Sequence, residues 1–141
     1  MNKYLLDTNV VSETRKSRPH GAVMQWLSGT ELGSTFLSAV TLGELQAGIE
    51  KTRRRDPAKA EEIERWADQV AATFEVLPMD AQCFREWARI MPNQRPDLLE
   101  DAMIAATARV HRMIVATRNE RDFRKLDVPT FNPFKNGHAA D

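Results

Sequence analysis

The segment KYLLDTN at residues 3–9 indicates the fold of this chain. Its first half, residues 3–6, is short, apolar and compatible with a β-strand. The polar residues Asp7, Thr8 and Asn9 follow at once, and their side chains are typical of turns and helix caps. The segment therefore predicts a strand that runs directly into a turn or a helix.

The same alternation of apolar strands and helices continues along the chain. The run Met113–Thr117 is typical of a central parallel strand that is covered on both faces. Alternating strands and helices favour a parallel sheet between two helical layers. We therefore predict an α/β fold of three layers, α/β/α, with a parallel sheet of about five strands. The predicted strands cover 3–6, 33–37, 74–77, 113–117 and 128–131, and the predicted helical stretches cover 10–15, 22–27, 41–51, 58–73, 80–90 and 98–110.

Composition limits the class of protein further. With 141 residues, 42% hydrophobic and 28% charged, the chain is typical of one globular domain. A formal net charge of zero argues against nucleic-acid binding through overall charge, although Lys51–Arg55 could form a local basic rim or a solvated helix end. The single cysteine, Cys83, is expected to be a buried thiol, which fits a cytoplasmic protein. No run reaches the ~18–20 apolar residues of a membrane span, so we expect no membrane partner and no signal peptide.

Four acidic residues are expected at one edge of the predicted sheet. Ligands of open parallel sheets bind at the carboxyl ends of the strands. Asp7 follows the first strand, Asp122 lies in the loop after strand 113–117, and Glu44 lies in the first turn of the helix after the second strand. Asp101 joins them if the alanine-rich helix begins near it.

Each of these acids also has a simpler structural interpretation. Asp7 could be a helix cap, and Glu44 could complete a capping box with Thr41. Asp101 could complement a helix dipole, and Asp122 could cap a short helix or form an ion pair.

Taken together, the four acids favour a metal site. Converging carboxylates repel one another unless a cation joins them, and oxygen ligands suit Mg²⁺ or Mn²⁺. The histidines His20, His111 and His138 are predicted at the surface, away from any cysteine–histidine cluster that zinc would prefer. An acidic metal site suits hydrolysis of a phosphodiester, because the ion can activate water and orient the phosphate.

Three other classes fit the sequence less well. A phosphotransfer receiver domain would need a phosphoacceptor aspartate at the end of its third strand, where this chain has Pro78 after residues 74–77. A phosphatase of the haloacid-dehalogenase type would need a second aspartate two residues after Asp7, where this chain has Asn9. No G-x-G-x-x-G motif follows any predicted strand, which disfavours a dinucleotide-binding domain.

Segments in all parts of the chain resemble the PIN-domain family, and within it the VapC-type toxins of bacterial toxin–antitoxin modules, closest to the FitB-like branch. In order they are LDTNVVSE at 6–13, SAVTLGEL at 38–45 with GI at 48–49, DAMIAATA at 101–108, TRN at 117–119 with DF at 122–123, and FNP at 131–133. Any one segment alone would be a weak signal, whereas their common order makes the resemblance specific.

The resemblance implies a Mg²⁺- or Mn²⁺-dependent endoribonuclease. It places Asp7, Glu44 and Asp101 at the family's near-invariant acidic positions, with Asp7 and Asp101 as metal ligands. The fourth position varies between relatives, so both Asp122 and Asn119 are candidates.

Four further residues look like supporting groups. Thr8, Asn9 and Thr117 are candidates for holding the metal ligands in place, and Arg118 is a candidate for binding phosphate.

The resemblance also implies partners and a domain boundary. It predicts a nuclease domain over residues 1–134 with a polar tail at 135–141, a homodimer, and a higher hetero-oligomer with a cognate antitoxin that lies across the toxin. Met24 and Trp26 are candidate antitoxin contacts or ordinary core residues. An inactive PIN-like binding module and a DNA-specific nuclease are the alternatives in function, and the particular RNA target is not encoded in any recognisable motif.

Overall fold

A computed structural model describes residues 1–135 of the chain. These residues form five strands and seven α-helices, joined in places by single 3₁₀ turns. In chain order the elements are β1 (Tyr4–Leu6), α1 (Thr8–Val11), α2 (Gly21–Gly29), β2 (Thr35–Ser38), α3 (Ala39–Arg53), α4 (Pro57–Thr73), β3 (Glu75–Leu77), α5 (Ala81–Ile90), α6 (Leu99–His111), β4 (Ile114–Ala116), α7 (Glu120–Lys125) and β5 (Thr130–Phe131).

The five strands form one parallel sheet in the order β3-β2-β1-β4-β5. Strand β1 is central, and its Leu6 pairs with Leu37 on one side and Ala116 on the other. The residues that follow β1, β2 and β4 therefore emerge at the same edge of the sheet. The predicted three-layer α/β/α fold with a parallel sheet is confirmed.

Both faces of the sheet are buried, which explains why its strands are apolar throughout. Leu5 and Val115 face the core beneath α5, α6 and α7, whereas Leu6, Leu37 and Ala116 face the core on the side of α2 and α4. Helix α6 lies close against the sheet because its inner residues are small, with Ala102, Ala105, Ala106 and Ala108 fully buried. A third, smaller cluster joins α3 to α4.

The structure corrects the predicted start of α3. Thr41 was expected to cap this helix, but the helix already begins at Ala39, and the Ser38 hydroxyl accepts a hydrogen bond from the Val40 amide at 3.0 Å. Ser38 is the last residue of β2, so strand and helix join without a loop. The capping-box interpretation of Thr41 and Glu44 is therefore wrong, and Glu44 lies in the second turn of α3 rather than the first.

Two other local predictions change in detail. Residues 91–96, expected to be a plain loop, contain one 3₁₀ turn, Met91–Asn93, and the first residue of a second, Pro96–Leu98. Asp122, expected in a loop, lies in the first turn of the short helix α7. Of the predicted tail at 135–141, only Lys135 lies within the described residues, and His138 lies outside them.

Candidate active site

Asp7 stands at the carboxyl end of the central strand, where the chain passes from β1 into α1. Its carboxylate accepts hydrogen bonds from the Thr8 amide at 2.8 Å, the Thr117 hydroxyl at 2.8 Å and the Asn9 side-chain amide at 3.2 Å. Asp7 caps α1, so the simpler interpretation of this residue is also correct. Its side chain is only 4% exposed. Burial raises the pKa of Asp7 above its ordinary value, although these three hydrogen bonds oppose the shift.

The end of the neighbouring strand β4 supplies one of the three donors to Asp7. Thr117 follows β4 and is fully buried; its hydroxyl donates to Asp7 and accepts from the Asn119 amide at 2.9 Å. The Asn9 side chain accepts a hydrogen bond from the Arg118 amide at 3.2 Å. The loop after β4 is thus tied both to Asp7 and to Asn9 in α1.

Glu44 reaches the site from α3. The Thr8 hydroxyl donates to the Glu44 carboxylate at 2.8 Å, and the buried Thr41 hydroxyl lies 3.4 Å from the same Thr8 oxygen. Burial raises the pKa of Glu44 to about 7, and the adjacent carboxyl of Glu100 and the charge of Asp7 act in the same direction. Glu44 therefore belongs to the site, held by Thr8 rather than by a helix cap.

Asp101 lies in the first turn of α6, as the sequence predicted. Burial raises its pKa to about 6, with further increases from the negative charges of Asp7 and Asp122. The neighbouring carboxyl of Glu100 also raises the pKa of Glu44. This effect depends on how α6 packs beside α3, which no local pattern in the sequence encodes.

The two candidates for the fourth position differ in the structure. Asp122 is partly exposed, with 29% of its side chain accessible, and lies 3.7 Å from the guanidinium of Arg95. Its charge is close enough to Asp101 to raise the pKa of that carboxyl. Asn119 is exposed, and it contacts the site through its backbone amide, which donates a hydrogen bond to the Thr117 hydroxyl. Asp122 is therefore the better placed of the two.

These acids interact in pairs rather than as a closed cage. Within residues 1–135, no three acidic, histidine or cysteine side chains form a ready-made set of metal ligands. Mg²⁺ is nonetheless commonly held by one or two carboxylates together with water and substrate phosphates, rather than by an all-protein cage. The charge of Asp7 raises the pKa of both Glu44 and Asp101, so a cation at this place would relieve the repulsion.

Other residues singled out in the sequence lie away from this cluster or outside the described part of the chain. Cys83 is buried, and His20 and His111 are exposed, as predicted. In the run Lys51–Arg55, Arg53 forms ion pairs with Glu50 and Glu64 at the end of α3. The helix-end interpretation of this run therefore holds for Arg53.

Met24 and Trp26, the two candidate antitoxin contacts, are half-buried on α2. Trp26 packs against Tyr4 and Phe131. Among the helices that the structure describes, none is long and apolar enough to cross a membrane.

The fold and the position of the acids define the class of α/β proteins whose ligand site lies beyond the carboxyl ends of parallel strands. Within this class, the family model for the PIN domain matches residues 4–129. The chain belongs to the PIN-domain family.

Comparison with individual proteins agrees with this assignment. The chain is similar to Toxin FitB of Neisseria gonorrhoeae, with 34% identity over an alignment that covers 92% of this chain and 97% of FitB. It is 31% identical to VapC ribonuclease Y4jK of Sinorhizobium fredii over an alignment that covers 93% of this chain and 97% of that protein. A solved structure of FitAB bound to a DNA fragment matches with a TM-score of 0.81 at 33% identity, covering 96% of this chain and 98% of the other.

Proposed function

We propose that this chain is a Mg²⁺-dependent endoribonuclease that acts as the toxin of a toxin–antitoxin module. The observation that carries the proposal is the convergence of Asp7, Glu44 and Asp101 at the carboxyl edge of the sheet, with the pKa of each raised. The PIN-domain match and the ribonuclease and toxin names of the relatives support the same function.

In this proposal Asp7 and Asp101 hold the metal ion, with Mn²⁺ as an alternative to Mg²⁺. Asp122 is the fourth acidic group, with Asn119 as the alternative. When bound, the ion would supply a positive charge that orients the scissile phosphate and makes water a better nucleophile. Carboxylates alone would repel the phosphate, so the chemistry depends on the ion.

The chain's own residues perform the remaining tasks. Thr117 and Asn9 hold the Asp7 carboxylate, and Thr8 orients Glu44. Glu44 is suited to accept a proton at near-neutral pH, because its pKa of about 7 matches that task. Arg118 is exposed beside Asn9, where it can contact a substrate phosphate.

The proposal is tested with labelled single-stranded RNA and DNA of the same sequence. We expect Mg²⁺-dependent cleavage of the RNA, complete loss of cleavage in excess EDTA and recovery when Mg²⁺ is restored. Cleavage that continues in excess EDTA would disprove the metal mechanism. Cleavage of DNA alone would assign the chain to the DNA-specific alternative.

A substitution test separates catalysis from simple binding. Asp101→Asn removes a charge from the site, and we expect it to reduce cleavage at least about 100-fold, the upper end of the losses seen for weakened metal sites. The matched control is Asp68→Asn, because Asp68 is exposed on α4 and is not among the charges that raise the pKa of Asp101. Equal activity in both variants would remove Asp101 from the active site. Absence of cleavage by the wild type as well would favour an inactive binding module.

The antitoxin and assembly parts of the proposal rest on the similarity to FitB and to the FitAB complex. We expect growth arrest on expression of this chain, relief on co-expression of the short open reading frame beside its gene, and a complex of the two that contains a homodimer of this chain. Light scattering on the co-purified proteins gives the stoichiometry. A chain that is harmless when expressed and has no such neighbour would be a solitary nuclease.

A further inference from the structure

A cleft apart from the carboxylates lies between α2 and one face of the sheet, next to Tyr4 of β1 and Phe131 of β5. It has a volume of about 580 Å³ and its lining includes three aromatic side chains, Tyr4, Trp26 and Phe131. None of the acids proposed for catalysis lines it. Binding clefts for small ligands usually measure about 300–1,000 Å³, so this one is large enough for a nucleotide.

The three aromatic rings form one cluster. The Trp26 ring lies 5.1 Å from Phe131 at an interplanar angle of 40°, and 5.1 Å from Tyr4 in an edge-on arrangement. All three side chains are only half-buried. Aromatic side chains that stay partly open in this way can still accept a flat ring.

Hydrogen bonding distinguishes Trp26 from the other tryptophans. Within residues 1–135, the indole nitrogen of Trp66 donates to Thr14 at 2.9 Å and that of Trp87 donates to the Leu99 carbonyl at 3.3 Å. The Trp26 indole has no protein acceptor in this part of the chain, and it is not among buried unsatisfied groups. Its N–H is thus not fully buried. The exposed amides of Asn2 and Gln25 also line the cleft.

The cleft is connected to the carboxylate site by the segment after β5. The Arg118 backbone bonds to Asn9 beside Asp7, and its guanidinium lies 3.9 Å from the centre of the Phe134 ring. The residues on either side of Phe134, Pro133 and Lys135, both line the cleft. A ligand could therefore extend from the acids, past exposed Arg118 and Lys135, into the aromatic cleft.

We propose that this cleft binds an unpaired nucleobase of the RNA substrate, from a nucleotide close to the scissile phosphodiester. The inference rests on the proposed ribonuclease function. Proteins read single-stranded RNA by stacking bases on aromatic side chains and by hydrogen bonds to base edges, and they hold the phosphates with cations. The cleft offers aromatic rings, side-chain amides and the ammonium of Lys135, which pairs with Glu120 in the free protein. Arg118 lies outside the cleft and contacts both Asn9 and Phe134.

The test is a scan of the substrate with the wild-type protein. A 12-nucleotide single-stranded RNA that spans a mapped cleavage site is prepared with each base in turn replaced by an abasic residue. We expect one position near the cut to lose about 5- to 150-fold in kcat/KM, the range that loss of one base–aromatic stack produces. The loss should appear mainly in KM, because the reacting groups are untouched. A flat profile would disprove the proposal without affecting the nuclease assignment.

Variants then locate the effect in the cleft. Trp26→Leu should weaken cleavage of the intact RNA by a similar factor and show no further loss at the sensitive abasic position, whereas Trp26→Phe, which keeps an aromatic ring, should retain most activity. Phe84→Leu is the matched control, because Phe84 is a 44% exposed aromatic on α5 outside the cleft. Thermal unfolding checks that each variant is folded. Independent losses for Trp26→Leu and the abasic residue would contradict the proposal.

Other occupants of the cleft give different results. If Trp26→Leu weakened the antitoxin complex or the homodimer but left RNA cleavage unchanged, the cleft would be a protein interface. If removal of residues 136–141 increased RNA cleavage and Trp26→Leu had no effect, the occupant would be the chain's own carboxyl-terminal segment. Absence of any Mg²⁺-dependent RNA cleavage by the wild-type protein would overturn the proposed function, and this inference with it.

Discussion

At the scale of single residues, the site depends on hydroxyl groups as much as on acids. The Thr8 hydroxyl donates a hydrogen bond to Glu44. The Thr117 hydroxyl donates to Asp7 and accepts a hydrogen bond from the Asn119 amide in the loop that follows β4. A buried carboxylate without such donors would lose the hydrogen bonds that compensate for its lost hydration. These two side chains therefore determine where the Asp7 and Glu44 oxygens point.

Thr117 gives the sharpest test at this scale. Thr117→Val keeps the shape of the side chain but leaves one Asp7 oxygen without its 2.8 Å donor, and we expect Mg²⁺ affinity or cleavage to fall about 10- to 100-fold. Thr117→Ser restores the hydroxyl and should recover most activity. Titration of cleavage rate against Mg²⁺ concentration measures both variants. Loss of activity in Thr117→Ser equal to that in Thr117→Val would show that packing, not the hydrogen bond, matters at this position.

At the scale of secondary structure, helix starts position most of the site. Helix α1 begins beside Asp7, α6 begins two residues before Asp101, and α7 begins two residues before Asp122. Asp101 therefore stands near the positive end of a helix dipole, which favours its charged form, while burial and its acidic neighbours act against that form. Glu44 is the exception, because it lies in the second turn of α3.

The cap of α3 can be tested by itself. Ser38 is fully buried, and its hydroxyl accepts from the Val40 amide, so we expect Ser38→Ala to lower the free energy of unfolding by about 0.5–2 kcal/mol. Chemical denaturation measures the loss. Ser28→Ala is the control, because Ser28 is exposed on α2 and should change stability by less than about 0.5 kcal/mol. Equal stability of the two variants would mean that this hydroxyl does not stabilise α3.

At the scale of the whole molecule, the cluster of acids links folding to pH and to metal. In the metal-free protein, the pKa of Glu44 is raised from 4.5 to about 7 and that of Asp101 from 3.8 to about 6. The folded state thus holds protons that the unfolded chain has already released. The raised pKa values therefore stabilise the folded state below about pH 4. This stabilisation is lost as the pH rises through about 6 for Asp101 and about 7 for Glu44.

This linkage predicts that a rise in pH has opposite effects on two quantities: the Tm of the metal-free wild type relative to Glu44→Gln, and the increase in Tm that Mg²⁺ causes. In EDTA, the Tm of wild type relative to Glu44→Gln should fall between about pH 4.5 and pH 7.5, because the glutamine cannot lose a proton. The increase in Tm caused by Mg²⁺ should be larger at pH 8 than at pH 5, since protonated carboxyls bind the ion poorly. Differential scanning fluorimetry measures both quantities. A Mg²⁺ effect that is the same at both pH values would contradict a site made of these carboxylates.

The sequence by itself determined the layers and the parallel sheet, and it predicted a common edge for Asp7, Glu44 and Asp122, because these follow from the alternation of strands and helices and from the rule that parallel strands end at a common edge. It also carried the resemblance to the PIN-domain family, which the family match confirmed. Only the tertiary structure decided that Ser38 rather than Thr41 caps α3, since both residues satisfy the same local pattern and strand pairing determines which is used. The effect of Glu100 on Glu44, the place of Asp101 near Asp7 and Asp122, and the grouping of Tyr4, Trp26 and Phe131 likewise depended on packing between elements far apart in the chain. Long-range packing places these side chains, and no spacing along one helix or strand records it.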